Sequence, residues 1–213
     1  MTKALASATY LSDDGLERAA RLLSRRDPDL RSVVKRFGIP PMWGREPGFS
    51  TLLHIILEQQ VSLASAKAAH NKLLKVVYPL TPRGFLKLND VTLKAVGFSR
   101  QKTAYGRHLA GEILEGRLDL EGFHSMDDAA VKIELLKIKG IGHWTADIYL
   151  LMVLRRPDIW PTGDLALAVA AQEVKRLKTR PTSQDLAEIS ESWKPWRAVA
   201  ARILWHYYLS EIV

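Results

Sequence analysis

Two stretches of this chain carry residue types that could do chemistry: LLKIKGIGHWTADIYLL at 135–151, and Asp164 within WPTGDLAL at 160–167. An apolar helical run from Val131 to Ile138 stops at Gly140-Ile141-Gly142, and a second apolar helical run begins by Thr145. Two glycines one residue apart allow a tight hairpin, because glycine tolerates positive φ and has no Cβ to block a close approach. The second helix then opens on unpaired backbone N–H groups in a turn without bulk. Those donors, with the positive end of the helix dipole, can seat a phosphate oxygen. An ordinary αα-hairpin, whose glycines only end one helix and start the next, would look the same locally, so both readings stand at this point. Asp164 has a similar double meaning. It occupies the N-cap position of a helix through LALAVAAQEV, and local sequence alone favours that cap. A capping carboxylate is also fixed in space, which suits it to stabilising a cation or orienting a water.

The elements that must position these residues are helical almost throughout. Ser12 caps a helix through DGLERAARLLSRR, after which DPDL and the GIPPMWGREPG stretch at 38–48 break the pattern. A helix follows through FSTLLHIILEQQ, and Ser62 caps another through ASAKAAHNKLLKVV. Asn89 precedes VTLKAV, and Gly97-Phe98-Ser99-Arg100 separates that helix from QKTAYGRHLAGEIL as a second hairpin-like turn. Ser125 with Asp128 reads as a capping box for the helix entering the main hairpin, and Thr182 with Asp185 does the same for LAEISES. Sustained β-branched alternation is missing, so the expected class is all-α.

The 213 residues suffice for one or two small domains with a sizeable core. Lys and Arg number 31 against 23 Asp and Glu, a formal charge of +8 that favours an anionic partner such as nucleic acid. There is no cysteine, which excludes disulfides, thiol catalysis and cysteine-ligated metal clusters, an iron–sulfur cluster among them. The six histidines show no ligand spacing, so a catalytic transition metal is not expected. The first residues, MTKALASATYLSDDG, contain no apolar h-region, and no apolar run approaches the length of a membrane span. An intracellular, cytoplasmic protein without a membrane association is the expectation.

Gly140-Ile141-Gly142, the Thr145-Ala146 pair and the later Asp164 resemble the helix-hairpin-helix DNA glycosylase superfamily with its downstream catalytic aspartate. LEQQVSLASAKAA at 57–69, GHWTADIYLL at 142–151 and WKPWRAVAARILWHYY at 193–208 further resemble the 3-methyladenine-DNA glycosylase II branch, and the likeness runs from about residue 45 to the C-terminus. Several separate motifs in the right order make this more specific than any one of them. The resemblance implies two helical lobes with an active-site cleft between them. Residues 1–48 with 155–213 would form the terminal lobe and 49–154 the central lobe, with the helix-hairpin-helix at about 131–151. The extra β domain that some members carry would be absent.

What the resemblance implies for the chemistry is concrete. Asp164 would be the catalytic carboxylate, stabilising the positive charge that develops on the sugar as the base departs and orienting the attacking water. Members that also nick the strand place a lysine two residues after the second hairpin glycine, where it forms a Schiff base. That position is Trp144 here, so hydrolysis without strand cleavage is expected. Trp144 and Trp205 would line the base pocket, where an electron-rich ring gains about 0.5 to 2 kcal/mol from a cationic purine. Ile148 would form a third wall, where the best-known branch has a tyrosine, and this departure leaves the substrate range open. Gln60 would be the wedge that fills the gap left by the flipped base. Phosphate contacts would come from Gly140, Gly142, His143, Trp144 and Thr145, with Arg100 and Lys102 near the other hairpin. No cofactor would be required, although the backbone carbonyls of Leu136, Ile138 and Ile141 match positions that hold a structural Na+ or K+. Asp147 lies inside the second hairpin helix, where a solvated or core-paired role is the simpler one. Lys137 and Lys139, before the turn, read as phosphate contacts or solvated charges.

The resulting expectation is a monomeric, monofunctional glycosylase acting on alkylated purines, of the 3-methyladenine and 7-methylguanine type, in double-stranded damaged DNA. Two other readings stay open: a helix-hairpin-helix DNA-binding protein without turnover, and a glycosylase for oxidised or deaminated bases.

Overall fold

The computed structural model describes residues 10–212 and, among them, contains helices and no strand. In chain order the helices are α1 (Asp13–Arg26), α2 (Pro28–Phe37), α3 (Phe49–Glu58), α4 (Leu63–Val76), α5 (Pro82–Leu86), α6 (Asp90–Ala95) and α7 (Arg100–Leu114). There follow α8 (Asp128–Leu136), α9 (His143–Ile148), α10 (Leu165–Val174), α11 (Ser183–Glu191) and α12 (Arg197–Glu211). A 3-10 turn at Gly122–Ser125 precedes α8, and α9 runs directly into a π-helical turn at Tyr149–Val153. The chain divides into two compact units. One runs up to Gly44 and resumes at Leu150; the other spans Arg45–Tyr149. Their bounds fall a few residues before the 48/49 and 154/155 boundaries read from sequence, and residues 1–9 of the expected terminal lobe lie outside the described residues.

In the first unit, α12 is the centre. Residues Ala198 through Trp205 are all buried, so this helix has no solvent face over two turns and must be surrounded. It packs against α1, α2, α10 and α11. Arg202 is fully buried there, and its guanidinium donates to the carbonyls of Met42, Leu151 and Ala198 at 2.8, 2.8 and 3.1 Å. Its buried donors thereby find acceptors within the core. α1 shows the amphipathic pattern of a covering helix, with Leu16, Ala19, Ala20 and Leu23 buried at helical spacing and Ser12 accepting the Gly15 N–H.

In the second unit α3 has the central role. Phe49, Leu52, Leu53, Ile55, Ile56, Leu57 and Glu58 are buried, and the helix packs on α4, α7 and α9. Glu58 is tolerated because Arg45 pairs with it through both oxygens, at 2.8 and 3.0 Å.

Three local expectations need correction. DPDL does not interrupt the helices for long: Asp27 ends α1 and caps α2, its Oδ1 accepting the Asp29 and Leu30 N–H groups, with Pro28 at the first helical position where no N–H is needed. The cap of α8 is Asp127, which accepts the Ala130 N–H at 2.8 Å, while the Ser125 hydroxyl donates back to the Gly122 carbonyl. Finally, α7 begins at Arg100, with Ser99 as its cap. By contrast Ser62, Asn89 and the Thr182–Asp185 box cap α4, α6 and α11 as read from sequence. Among the described residues no helix is long and apolar enough to cross a membrane.

Candidate active site

Asp164 lies at the N-cap of α10, after a turn through Pro161 in which Gly163 takes φ +80°. The apolar helix behind it is buried along Leu167, Ala168, Ala170, Ala171 and Val174, which anchors the cap position. Asp164 Oδ1 accepts the Leu167 N–H at 2.9 Å and the Trp205 Nε1–H at 3.2 Å. Residue and partner are each only 8% exposed. The carboxylate is therefore held from two elements of the first unit, α10 and α12. Leu165, next to it, is exposed despite being apolar.

The hairpin belongs to the second unit. Ile138 and Ile141 are buried, and the Ile141 N–H donates to the Ile138 carbonyl at 3.0 Å, which closes the turn. Gly140 takes φ +93°, and a Cβ there would meet the Tyr105 ring at 2.3 Å, so both its conformation and the close approach of α7 require glycine. Gly142 caps α9 with no side chain of its own and with nothing within 4 Å of where a Cβ would stand. Gly142 and His143 are exposed, and Trp144 is half-buried.

The turn after α3 adjoins this hairpin. Gln59 Nε2 donates to the Gly140 carbonyl at 2.8 Å and to Thr145 Oγ1 at 2.9 Å. Gln60, exposed at the tip, has φ +57°, a left-handed conformation that costs a non-glycine residue about 1–2 kcal/mol. Lys102 Nζ donates to the carbonyls of Leu57 and Gln59 at 2.6 and 3.0 Å. Burial lowers the Lys102 pKa from its ordinary value.

The family model for the HhH-GPD superfamily base excision DNA repair protein matches residues 53–195, which takes in the turn at Gln59 and Gln60, the hairpin and Asp164. The chain belongs to this superfamily. The HhH-GPD chain is 28% identical over 202 residues to the alkylbase DNA glycosidase-like protein of Schizosaccharomyces pombe, covering 91% of this chain and 94% of that protein. To the DNA-3-methyladenine glycosylase of Bacillus subtilis it is 27% identical over 202 residues, covering 86% of this chain and 64% of that one. Among solved structures, the Schizosaccharomyces pombe 3-methyladenine DNA glycosylase in complex with abasic DNA superposes with a TM-score of 0.84 at 27% identity, over 88% of this chain and 95% of that chain.

Within this HhH-GPD chain, the structure brings some of the residues singled out from sequence together and commits others to packing or internal hydrogen bonds. Asp164 and Trp205 come together in the first unit, and Gln60, Gly142, His143 and the half-buried Trp144 line the tips of the second unit's turns. Arg100 is exposed at the start of α7. Lys102, expected at a phosphate, has its ammonium committed to the Leu57 and Gln59 carbonyls. Thr145 is 1% exposed with its hydroxyl committed to Gln59, so its side chain is not a phosphate ligand. Ile148 is 2% exposed and serves the packing of its unit. Asp147 is core-paired: Lys132 Nζ donates to its Oδ1 at 2.6 Å. Lys137 is paired with Glu134 on the surface at 2.7 Å, and Lys139 is exposed. A backbone-satisfying role for Gln59 was open from sequence, but not that the group served is the Gly140 carbonyl 81 residues away, and Tyr105 beneath Gly140 had no sequence signal.

Proposed function

We propose that this protein is a monofunctional DNA glycosylase that flips alkylated purines out of duplex DNA and removes them by hydrolysis, leaving an abasic site for base excision repair. The observation that carries this reading is the seating of Asp164. Its carboxylate is nearly buried, anchored by a helix cap and an indole N–H, and so is preorganised rather than free to reorient. As the bond between C1′ and the base nitrogen breaks, its electron pair leaves with the base and neutralises the positive charge that alkylation placed there. Positive charge develops on the sugar, where a fixed carboxylate stabilises it. Water then adds to C1′ and gives up its proton to the Asp164 carboxylate, which passes it to solvent. A cationic purine is already a good leaving group, so a separate general acid is not needed.

Trp144 supplies the electron-rich face for that cationic base, and in the position that would carry a Schiff-base lysine it supports hydrolysis without lyase chemistry. The similarity to proteins named DNA-3-methyladenine glycosylase supports the alkylpurine class. Gly140, Gly142 and His143, with Arg100, hold phosphates of the damaged duplex, and Gln60 fills the vacated position in the stack. A Na+ or K+ would be held at the hairpin by the carbonyls of Leu136, Ile138 and Ile141. The Ile138 oxygen accepts one hydrogen bond, from Ile141, and a carbonyl has a second lone pair for a cation. The protein works as a monomer beside the cytoplasmic genome and needs no other cofactor.

The test is base release from duplex DNA treated with a methylating agent, compared with Asp164→Asn, with and without hot alkali. Released methylpurine, strand breaks only after alkali and loss of both in the variant are expected. Binding without release by the wild type would overturn the reading, and breaks before alkali would overturn its monofunctional part.

A further inference from the structure

The turn between α3 and α4 is built in a way that its own sequence does not require. α3 ends at Glu58, where the Ile56 carbonyl accepts the Gln59 N–H at 3.3 Å and the carbonyls after it need partners from outside the helix. Two oxygens at this end, those of Leu57 and Gln59, are both taken by Lys102 Nζ from α7, at 2.6 and 3.0 Å. A cation at the C-terminal end of a helix is favourable in its own right. Immediately beyond, Gln60 is held at φ +57°. A left-handed non-glycine residue persists where its surroundings over-determine it. Here the determinant is Gln59, whose amide bridges the Gly140 carbonyl and Thr145 Oγ1 at 2.8 and 2.9 Å. Gly140 in turn lies against the ring of Tyr105, whose hydroxyl accepts from Gln101 Nε2 at 2.6 Å. The turn at Gln60, the hairpin and the first turns of α7 are thus joined by the half-buried side chains of Gln59, Lys102 and Tyr105.

We propose that Gln59 and Lys102 are positioning residues that fix the Gln60 tip relative to the hairpin, so that seating a phosphate on the hairpin sets how far the tip enters the base stack. This rests on the reading of Gln60 as the wedge and of the hairpin as the phosphate seat. The linkage converts two contacts with DNA into one rigid gauge. Without it, Gln60 is free to leave its strained conformation and withdraw while the hairpin stays bound, and a displacement of about 1 Å at such a site costs about 100-fold in rate.

The decisive measurement does not need turnover. A duplex carrying a tetrahydrofuran abasic-site analogue, with 2-aminopurine opposite, reports wedge entry as a rise in fluorescence when the protein binds. The wild type should give the rise. Gln59→Leu and Lys102→Met should bind the same duplex within about threefold, since neither removes a phosphate contact, yet lose most of the rise; Gln60→Ala is the control for a missing tip. Full fluorescence in both variants overturns the proposal, as does no rise in the wild type. A loss of affinity that parallels the loss of signal also overturns it, because that marks a merely structural role. Should one variant fail to fold, the other carries the test, because they cut the linkage at different bonds. Methylpurine release run on the same proteins reports separately on the glycosylase reading: absence of release by the wild type would sink that activity and leave the fluorescence comparison valid.

Discussion

The indole of Trp205 donates its N–H to Asp164 Oδ1 at 3.2 Å, the same oxygen that caps α10 through the Leu167 N–H at 2.9 Å. One oxygen thus takes a positioning bond from each of two helices. Trp205 was expected from the family resemblance as a wall of the base pocket; its nitrogen gives it a second task. Trp205→Phe separates the two, because it keeps an aromatic ring and removes the donor. A hydrogen bond to a charged group contributes about 1.5–3 kcal/mol, so kcat should fall by about 10- to 100-fold with KM nearly unchanged. Single-turnover methylpurine release reads this directly. An unchanged kcat would mean that Asp164 is positioned without the indole.

The two hairpin glycines should behave differently when a methyl is added. At Gly140 the methyl meets Tyr105 at 2.3 Å, and φ is +93°. Gly140→Ala should therefore lose about 2–3 kcal/mol of stability, seen as a lower thermal midpoint. Gly142→Ala has φ −99° and open space around the new methyl, so the midpoint should hold. If the hairpin seats a phosphate as proposed, its methyl intrudes at that seat, and affinity for abasic duplex should fall about tenfold, the equivalent of 1.4 kcal/mol. Equal thermal midpoints for the two variants would refute this account of the turn.

These contrasts mark which features can be read from a linear chain. Ser12, Ser62, Asn89 and Thr182 were legible as caps because a cap is a relation between residues two or three apart. Asp127 was missed in favour of Ser125 because both types cap well and the choice depends on where the preceding 3-10 turn closes. Asp164 was legible as a cap by the same local logic, while its bond to Trp205 crosses 41 residues and had no local trace. The bridge from Gln59 to Gly140 spans 81 residues, and that from Lys102 to Leu57 spans 45. A lysine beside a basic hairpin reads as a phosphate ligand until the fold shows which carbonyls it serves. The π-helical turn after α9 had no signal, since Tyr149–Val153 is apolar in any helical register.

His54 and His70 stack in parallel, ring centroids 4.3 Å apart, on α3 and α4 of the second unit. Burial pushes His54 down to about 4, helped by the charges of Arg45 and Lys67, and burial with the neighbouring His54 does the same to His70, also to about 4. In the folded protein both rings are neutral where the unfolded chain already binds protons, below pH about 6.5. The unfolded state therefore binds more protons in that window, and stability should fall as pH drops from about 6.5 to about 4, then level off for this pair. Each proton sets a ceiling of about 1.4 kcal/mol per pH unit, and partial exposure keeps the effect below it. Thermal midpoints taken across pH 7 to 4 should decline more gently for His54→Phe, which keeps a stacked ring without titrating there. Parallel slopes for variant and wild type would remove the histidines as the cause.

The sharpest functional contrast is between the two buried carboxylates. Asp147 and Asp164 are 2% and 8% exposed, so burial alone does not choose between them. The two are held differently. Asp147 Oδ1 takes a direct ion pair from Lys132 at 2.6 Å. Asp164 Oδ1 accepts from the Leu167 amide and the Trp205 indole, which fix its orientation at the start of α10. A group that must stabilise a developing cation works best when it is fixed in place beforehand. Asp147→Asn should lower stability by about 1–3 kcal/mol, since Lys132 loses its charged partner but can still reach solvent, and should leave kcat within about threefold. Asp164→Asn preserves shape and an acceptor for the cap, so stability should change by less than about 1 kcal/mol while methylpurine release falls by about 100-fold or more. Thermal midpoints and release rates on the same two preparations decide the matter. The reverse pattern, with Asp147→Asn inactive and Asp164→Asn active, would move the chemistry to the second unit and leave Asp164 as a helix cap only.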